Sequence, residues 1–331
     1  MATSRKSTHL GEFAAMLLIW LGLWLLFSFF SHNFLSWRTL SGLANRIPTL
    51  MVVSAGMTLV LIIGAIDLSV GSVLGLAGAV LGVAVVNWHW PFWAAAWACM
   101  CVGLAAGILN GLISVQLGVP SFIVTLGMLE MSRGLAYLAT HSQTEYIGAP
   151  VEGLSRPLSA VGCSPAFMIG AFVTGVCQLV LSRTLFGRYL VAIGTNEQAV
   201  RLAGINPRLP KIAVFALVGL LTGLGAVFYT SRLGASDPNA GAGLELSAIA
   251  AVVIGGTSLM GGRGSVVSSF FGVLIIATLE AGLAQVGASE PLKRVVTGAV
   301  IVLAVALDAW RRHLAGSKFT FLSRLFSSRF A

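Results

Sequence analysis

The chain has 331 residues, of which 57% are hydrophobic and only 9% charged, with a mean hydropathy of +0.92. Soluble domains carry about 25% charged residues, so this composition excludes a chain that covers a water-facing surface. The net charge of +9 reads as membrane topology rather than as nucleic-acid binding, because Lys and Arg collect on one side of a membrane chain.

The apolar runs are long and unbroken, which selects helices over an alternating barrel. About ten spans are expected. Arg5 and Lys6 precede the first, Phe13–Phe30, and no small-residue cleavage pattern follows it at Ser31–Phe34, so it reads as a retained helix. The second is expected at Ile47–Gly64, the third at Leu68–Val86, the fourth at Phe92–Val115 and the fifth at Phe122–Ala139. Trp88, Trp90, Trp93 and Trp97 cluster at one interface, as an aromatic belt does. In the fourth span Gly103, Gly107 and Gly111 recur every four residues, and Gly219 with Gly223 repeats the spacing later, which predicts faces for close helix approach.

A polar stretch, His141–Ser164, leads to the sixth span at Ala166–Ser182. The seventh is expected at Ile212–Thr230, the eighth at Leu246–Met260, the ninth at Val266–Val286 and the tenth at Val295–Trp310. The organisation is then a 1–12 cytoplasmic segment, a 13–310 transmembrane domain with a charged loop at 183–211, and a 311–331 basic tail. An inside N-terminus places Arg5, Lys6, the arginines and lysine of 183–211, Arg263 and the tail's basic residues, most of the chain's 20, on the cytoplasmic side. The termini then both face the cytoplasm.

Asp67-Leu68-Ser69 opens the third span and Glu245-Leu246-Ser247 the eighth, on opposite predicted sides. This is the sign of an inverted repeat in which spans two to five mirror spans seven to ten. An acid inside a membrane is costly, so Asp67, Glu130, Glu245 and Glu280 are either functional or held by structure. Capping suits Asp67 and Glu245 at helix starts, and an ion pair with Arg133 suits Glu130. The glycine run Gly255–Gly264 reads as a tight re-entrant turn. The four cysteines form no metal or redox spacing. No phosphate loop or Gly-Lys dipeptide occurs, and all five histidines fall at flanks or in loops. The chain is therefore expected to be no enzyme, to hold no metal and no cofactor of its own, and to lack an intramembrane histidine relay.

Within 183–211, Thr195 and Gln198 match a capping box, Val200, Leu202 and Ala203 supply apolar surface, Gly204 ends the helix and Pro207 stops it. A helix this short needs a surface to pack on: either the lipid headgroups or a partner protein.

Four blocks carry a family resemblance: "MTLVLIIGAIDLSVGSVLGLAG" (57–78), "VPSFIVTLGML" (119–129), "FGRYLVAIGTNEQAVRLAGIN" (186–206) and "GLELSAIAAVVIGGTSLMGGRGS" (243–265). They stand in the order found in permease subunits of bacterial ABC importers for monosaccharides of the ribose, xylose and galactose type, which the chain resembles over roughly residues 40–310. Alanine at 65 and threonine at 195 replace glycines frequent in that family. The resemblance implies an inner-membrane passage for a small neutral sugar. Its implied partners are a second permease subunit, a periplasmic sugar-binding protein and two ATPase subunits that bind ATP and Mg. It also implies that Asn196, Glu197, Val200, Arg201, Leu202, Ala203 and Gly204 couple the permease to the ATPase. A sugar path needs hydroxyls and amides, for which Asp67, Ser69, Asn110, Thr125 and Ser247 are the candidates. The competing readings are the same role for a nucleoside, a furanose-like signal molecule or an amino acid, and a self-sufficient secondary carrier.

Overall fold

A computed structural model describes residues 2–31, 33–158, 162–300, 302, 303 and 306, with the backbone alone for residues 2–12. The tail at 311–331 and the end of the tenth expected span, 307–310, lie outside the described residues. The chain is all-α, a multi-pass helical membrane protein. Its helices are α1 (Ala2–Phe30), α2 (Trp37–Arg46), α3 (Pro48–Ile62), α4 (Val70–Val86), α5 (Phe92–Gln116), α6 (Ser121–Ala139), α7 (Ala149–Glu152), α8 (Pro165–Arg183), α9 (Leu185–Leu202), α10 (Arg208–Leu233), α11 (Leu244–Ile254) and α12 (Val266–Gln285). Residues 290–300 are also helical.

Among the described residues six helices are long and apolar enough to cross a bilayer, or seven if the pair α2–α3, bent by 50°, is one span. The third and eighth expected spans are shorter. The 17 residues of α4 reach about 25 Å and the 11 residues of α11 about 16 Å, against a hydrocarbon core of about 30 Å. The eighth expected span thus stops at Ile254 rather than Met260, because Gly255 and Gly256 end it. Helix α2 was not expected from the sequence; Ser36 caps it by accepting from the Thr39 amide at 3.2 Å. Two short strands, β1 (Glu145–Tyr146) and β2 (Ala235–Ser236), pair antiparallel and tie the 141–164 stretch to the end of α10.

Helix α3 sits at the centre. It is apolar all round and buried along nearly its whole length, the pattern of a helix enclosed on every side. Apolar contact between helices gains little in lipid, so close van der Waals packing and hydrogen bonds hold such bundles. Both occur here. Thr58 donates to the Ser269 hydroxyl of α12 at 2.8 Å, and Thr49 donates to the Gly225 carbonyl of α10 at 3.3 Å. The predicted glycine faces meet: Gly103 and Gly107 of α5 lie so close to Gly219 and Phe215 of α10 that a Cβ on either would strike backbone.

Candidate functional site

The first candidate region is the non-helical stretch between α3 and α4. Gly64, at φ +73°, turns the chain out of α3. Residues 65–69 then run outside the helix, and α6 supplies partners for two of their amides: Ile66 donates to the Ser121 hydroxyl and Leu68 to the Thr125 hydroxyl, each at 3.1 Å. Backbone can leave a helix at membrane depth only where protein replaces the missing partners, and α6 supplies them. Asp67, 2% exposed, accepts at Oδ1 from the Ser69 amide at 2.9 Å and the Ser69 hydroxyl at 2.6 Å. Asn110 of α5 donates to the Ser69 hydroxyl at 3.0 Å, and its own Oδ1 has no partner among the described residues.

Four of the five path candidates therefore form one buried network. Ser247 does not join it; it borders a separate cavity of about 180 Å³ with Thr49, Tyr229, Arg46, Arg232 and Glu280. The Arg232 guanidinium lies over the Tyr229 ring at 5.3 Å. Glu245 instead reaches α4, where a Cβ on Gly71 would strike its carboxylate and the Gly241 carbonyl. The two acid-Leu-Ser motifs thus stand at the starts of the two short helices, α4 and α11, which meet there.

Between β2 and α11 the chain passes along α4. Ser236 donates to the Gly78 carbonyl at 2.7 Å. Arg133 of α6 donates to the carbonyls of Pro238 and Ala240. The expected Glu130–Arg133 ion pair is therefore absent: the guanidinium, with several donors in one plane, satisfies carbonyls that no helix or strand uses. Sequence spacing pointed to Glu130 because i,i+3 neighbours are visible in sequence and a distant loop is not.

The second region is 183–211. Thr184 accepts from the Gly187 amide at 3.2 Å and starts α9, eleven residues earlier than the sequence cap expected. The cap at the expected place is Asn196, not Thr195. Asn196 breaks the helix with extended backbone, φ −161° and ψ 96°, and accepts from the Ala199 amide at 3.0 Å. Thr195 instead donates back to the Val191 carbonyl at 2.7 Å. Glu197 accepts from Lys211 at 3.0 Å and pairs with Arg201. Partial burial alone would raise the Glu197 carboxyl, but Lys211 and Arg201 together hold it below the usual carboxylate range.

Past the break the helix has two faces. Val200 is 7% exposed and packs in the central core with Leu190 and Ile193, whereas Leu202 is 90% exposed. A partner would therefore meet Leu202, Arg201 and Ala203, while Val200 anchors the turn from inside. Gly204, at φ +78°, ends the helix as expected. Two glycine contacts went unread in the sequence. Gly194 abuts the Ile62 carbonyl at the end of α3, and that carbonyl accepts from the Gly262 amide at 2.9 Å. The end of α3, the 255–265 turn and α9 are thus pressed into one joint, directly before the Asp67 break. The signal was present as Gly194 in "AIGTN" and as the glycine run Gly255–Gly264, but only the fold brings them together.

Taken together, these features define a helical membrane protein with irregular backbone between two buried helices and a two-faced loop helix packed against the same core. The family profile described as "Branched-chain amino acid transport system / permease component" matches residues 39–305, and the chain belongs to that family. Among its relatives, "Ribose import permease protein RbsC" of Escherichia coli (strain K12) is 38% identical over 285 residues, covering 84% of this chain and 88% of the relative. The protein of the same name from Bacillus subtilis (strain 168) is 35% identical and covers 93% of this chain and 97% of the relative. "Xylose transport system permease protein XylH" of E. coli (strain K12) is 34% identical, covering 83% and 86%.

Proposed function

We propose that the chain is the membrane-spanning permease subunit of an ABC importer that carries a small neutral sugar into the cytoplasm. On this reading it lies in a bacterial inner membrane with both termini inside. It pairs with a second permease subunit, receives sugar from a periplasmic binding protein and is driven by separate ATPase subunits that bind ATP and Mg. The observation that carries the reading is the helix 197–202. It is capped by Asn196 and closed by Gly204, presents Leu202 outward at 90% exposure, and is rooted by Val200 in the core. Such a knob would transmit force, because Val200 packs in the core that also holds Ile62, and Gly194, just before the cap, abuts the Ile62 carbonyl. Nucleotide-driven motion of the ATPase would reach the Asp67 break through that joint.

Asp67, Ser69, Asn110 and Thr125 are proposed to line the path when the break opens; their hydroxyl and amide groups match a polyol and offer no fixed cation. The names of the relatives, ribose and xylose permeases, favour a sugar over an amino acid. The faced α4 and α11 starts support mirrored halves about that point. The test is uptake in cells carrying Leu202→Asp or Gly204→Pro. Both variants should insert in the membrane, as judged by blotting of the membrane fraction, and lose transport. Wild-type uptake in both would reject the docking role.

A further inference from the structure

Beneath the break, four segments enclose a second polar cavity of about 300 Å³. Its wall comprises residues 63–65, the α5–α6 turn from Ser114 to Ser121, the α9 residues Glu197 and Arg201, and Arg208, Lys211 and Phe215 of α10. Three cations face a single carboxylate. Glu197 is already engaged by both Lys211 and Arg201, and among the described residues Arg208 has no side-chain partner. The cavity thus carries an excess of two positive charges. Helix α6 also begins on its rim, at Ser121, with no side-chain cap, whereas the Arg208 amide at the start of α10 already donates to Asn206 Oδ1 at 3.0 Å. Helix starts direct free N–H groups and positive dipole ends at what lies before them. The Ser121 hydroxyl, which accepts from Ile66, keeps its proton to donate. Ile63, Val115, Val119 and Phe215 add an apolar side.

We propose that this cavity binds a small phosphate-bearing anion, held by Arg208, Arg201 and Lys211. Guanidinium groups suit phosphate oxygens, and the volume fits the lower end of ligand pockets, about 300–1,000 Å³. The organic part is therefore no larger than a monosaccharide or a glycerol headgroup. An occupant would bridge α9 and α10 to the α5–α6 turn, fastening the loop helix to the elements that support the break. The site stands on these residues whether or not the chain imports a sugar.

The experiment uses the full chain in phosphatidylcholine nanodiscs, titrated calorimetrically with inorganic phosphate, glucose 6-phosphate and glucose, and repeated in discs containing phosphatidylglycerol. A phosphate-bearing probe binds and glucose does not. Arg208→Gln weakens binding by about tenfold or more, Arg208→Lys restores part of it, and Arg183→Gln, an exposed cation outside the cavity, leaves it unchanged. If phosphatidylglycerol abolishes binding of the soluble probes to the wild-type chain, and Arg208→Gln removes the enrichment of that lipid around the protein, the phosphate is a headgroup. If the soluble probes bind equally in both discs, it is a free anion. Failure of both phosphate probes in phosphatidylcholine discs, with lipid enrichment indifferent to Arg208→Gln, overturns the site. So does equal weakening by Arg183→Gln, which would mean diffuse charge.

Discussion

Asp67 illustrates how a carboxyl survives inside the bundle. Among the described residues it has no cationic partner, and its Oδ1 accepts from one amide and one hydroxyl, both of Ser69. Asp67→Ala removes that acceptor and leaves the Ser69 amide buried and unpaired, which should cost about 1–3 kcal/mol. Asp67→Asn keeps the oxygen and should cost less than about 1 kcal/mol on the same basis. Thermal unfolding of the solubilised protein distinguishes them, and equal losses would contradict the acceptor role. Glu197 gives a pH-dependent counterpart. Its lowered carboxyl contributes stability that is present above the unfolded value, about 4.3, and disappears as pH falls through the folded value. The melting difference between wild type and Glu197→Gln should be constant from about pH 6 to 8 and close on acidification below that unfolded value. A difference that widens in acid would contradict the pairing with Lys211 and Arg201. With Glu197 partly exposed, screening keeps the effect small. The path candidates Asp67, Ser69, Asn110 and Thr125 were legible as polar residues in apolar runs. Their assembly was not, since their partners lie across α5 and α6 and no periodicity encodes that meeting. Ser247 looked equivalent in sequence to Ser69 and belongs to another cavity.

The glycine spacing in α5 was readable because close helix approach demands four-residue periodicity, and the partner α10 follows from the matching Gly219 and Gly223. Overpacking this seam should be costly. Gly107→Val drives side-chain atoms into the Phe215 carbonyl and should destabilise the fold by about 1–3 kcal/mol or more. Gly127→Ala in α6 meets nothing within 4 Å and should be neutral within about 0.5 kcal/mol. Detergent-resistant melting temperatures check both, and equal sensitivity at Gly127 would contradict the seam. Helix existence was legible where apolar runs are long, and fails where other physics sets the boundary. Helices α4 and α11 are apolar enough to read as full spans, yet α4 starts only at Val70 and α11 already ends at Ile254, before the Gly255–Gly256 turn. The first half of α9 was hidden because Arg183, Arg188 and the glycines at 187 and 194 make the segment read as a charged loop, whereas Leu190 and Ile193 are buried in the core that α3 also enters.

At the scale of the whole molecule, the membrane class was evident from composition and the family from four ordered blocks. The mechanical connection was not evident, because it runs through contacts between residues far apart in sequence: Val200 to the core, Gly194 to Ile62, and Ile62 to Gly262. These contacts join a loop helix, a glycine turn and a helix break, the route along which the proposed coupling would run. The proposal that matters most is that separate ATPase subunits drive the chain. The decisive measurement is radiolabelled sugar uptake into proteoliposomes containing the purified chain, with and without its ATPase subunits and binding protein. The account predicts uptake only when the ATPase, ATP and binding protein are all present, and none from the chain alone under a proton or sodium gradient. Gradient-driven accumulation by the chain alone would contradict it.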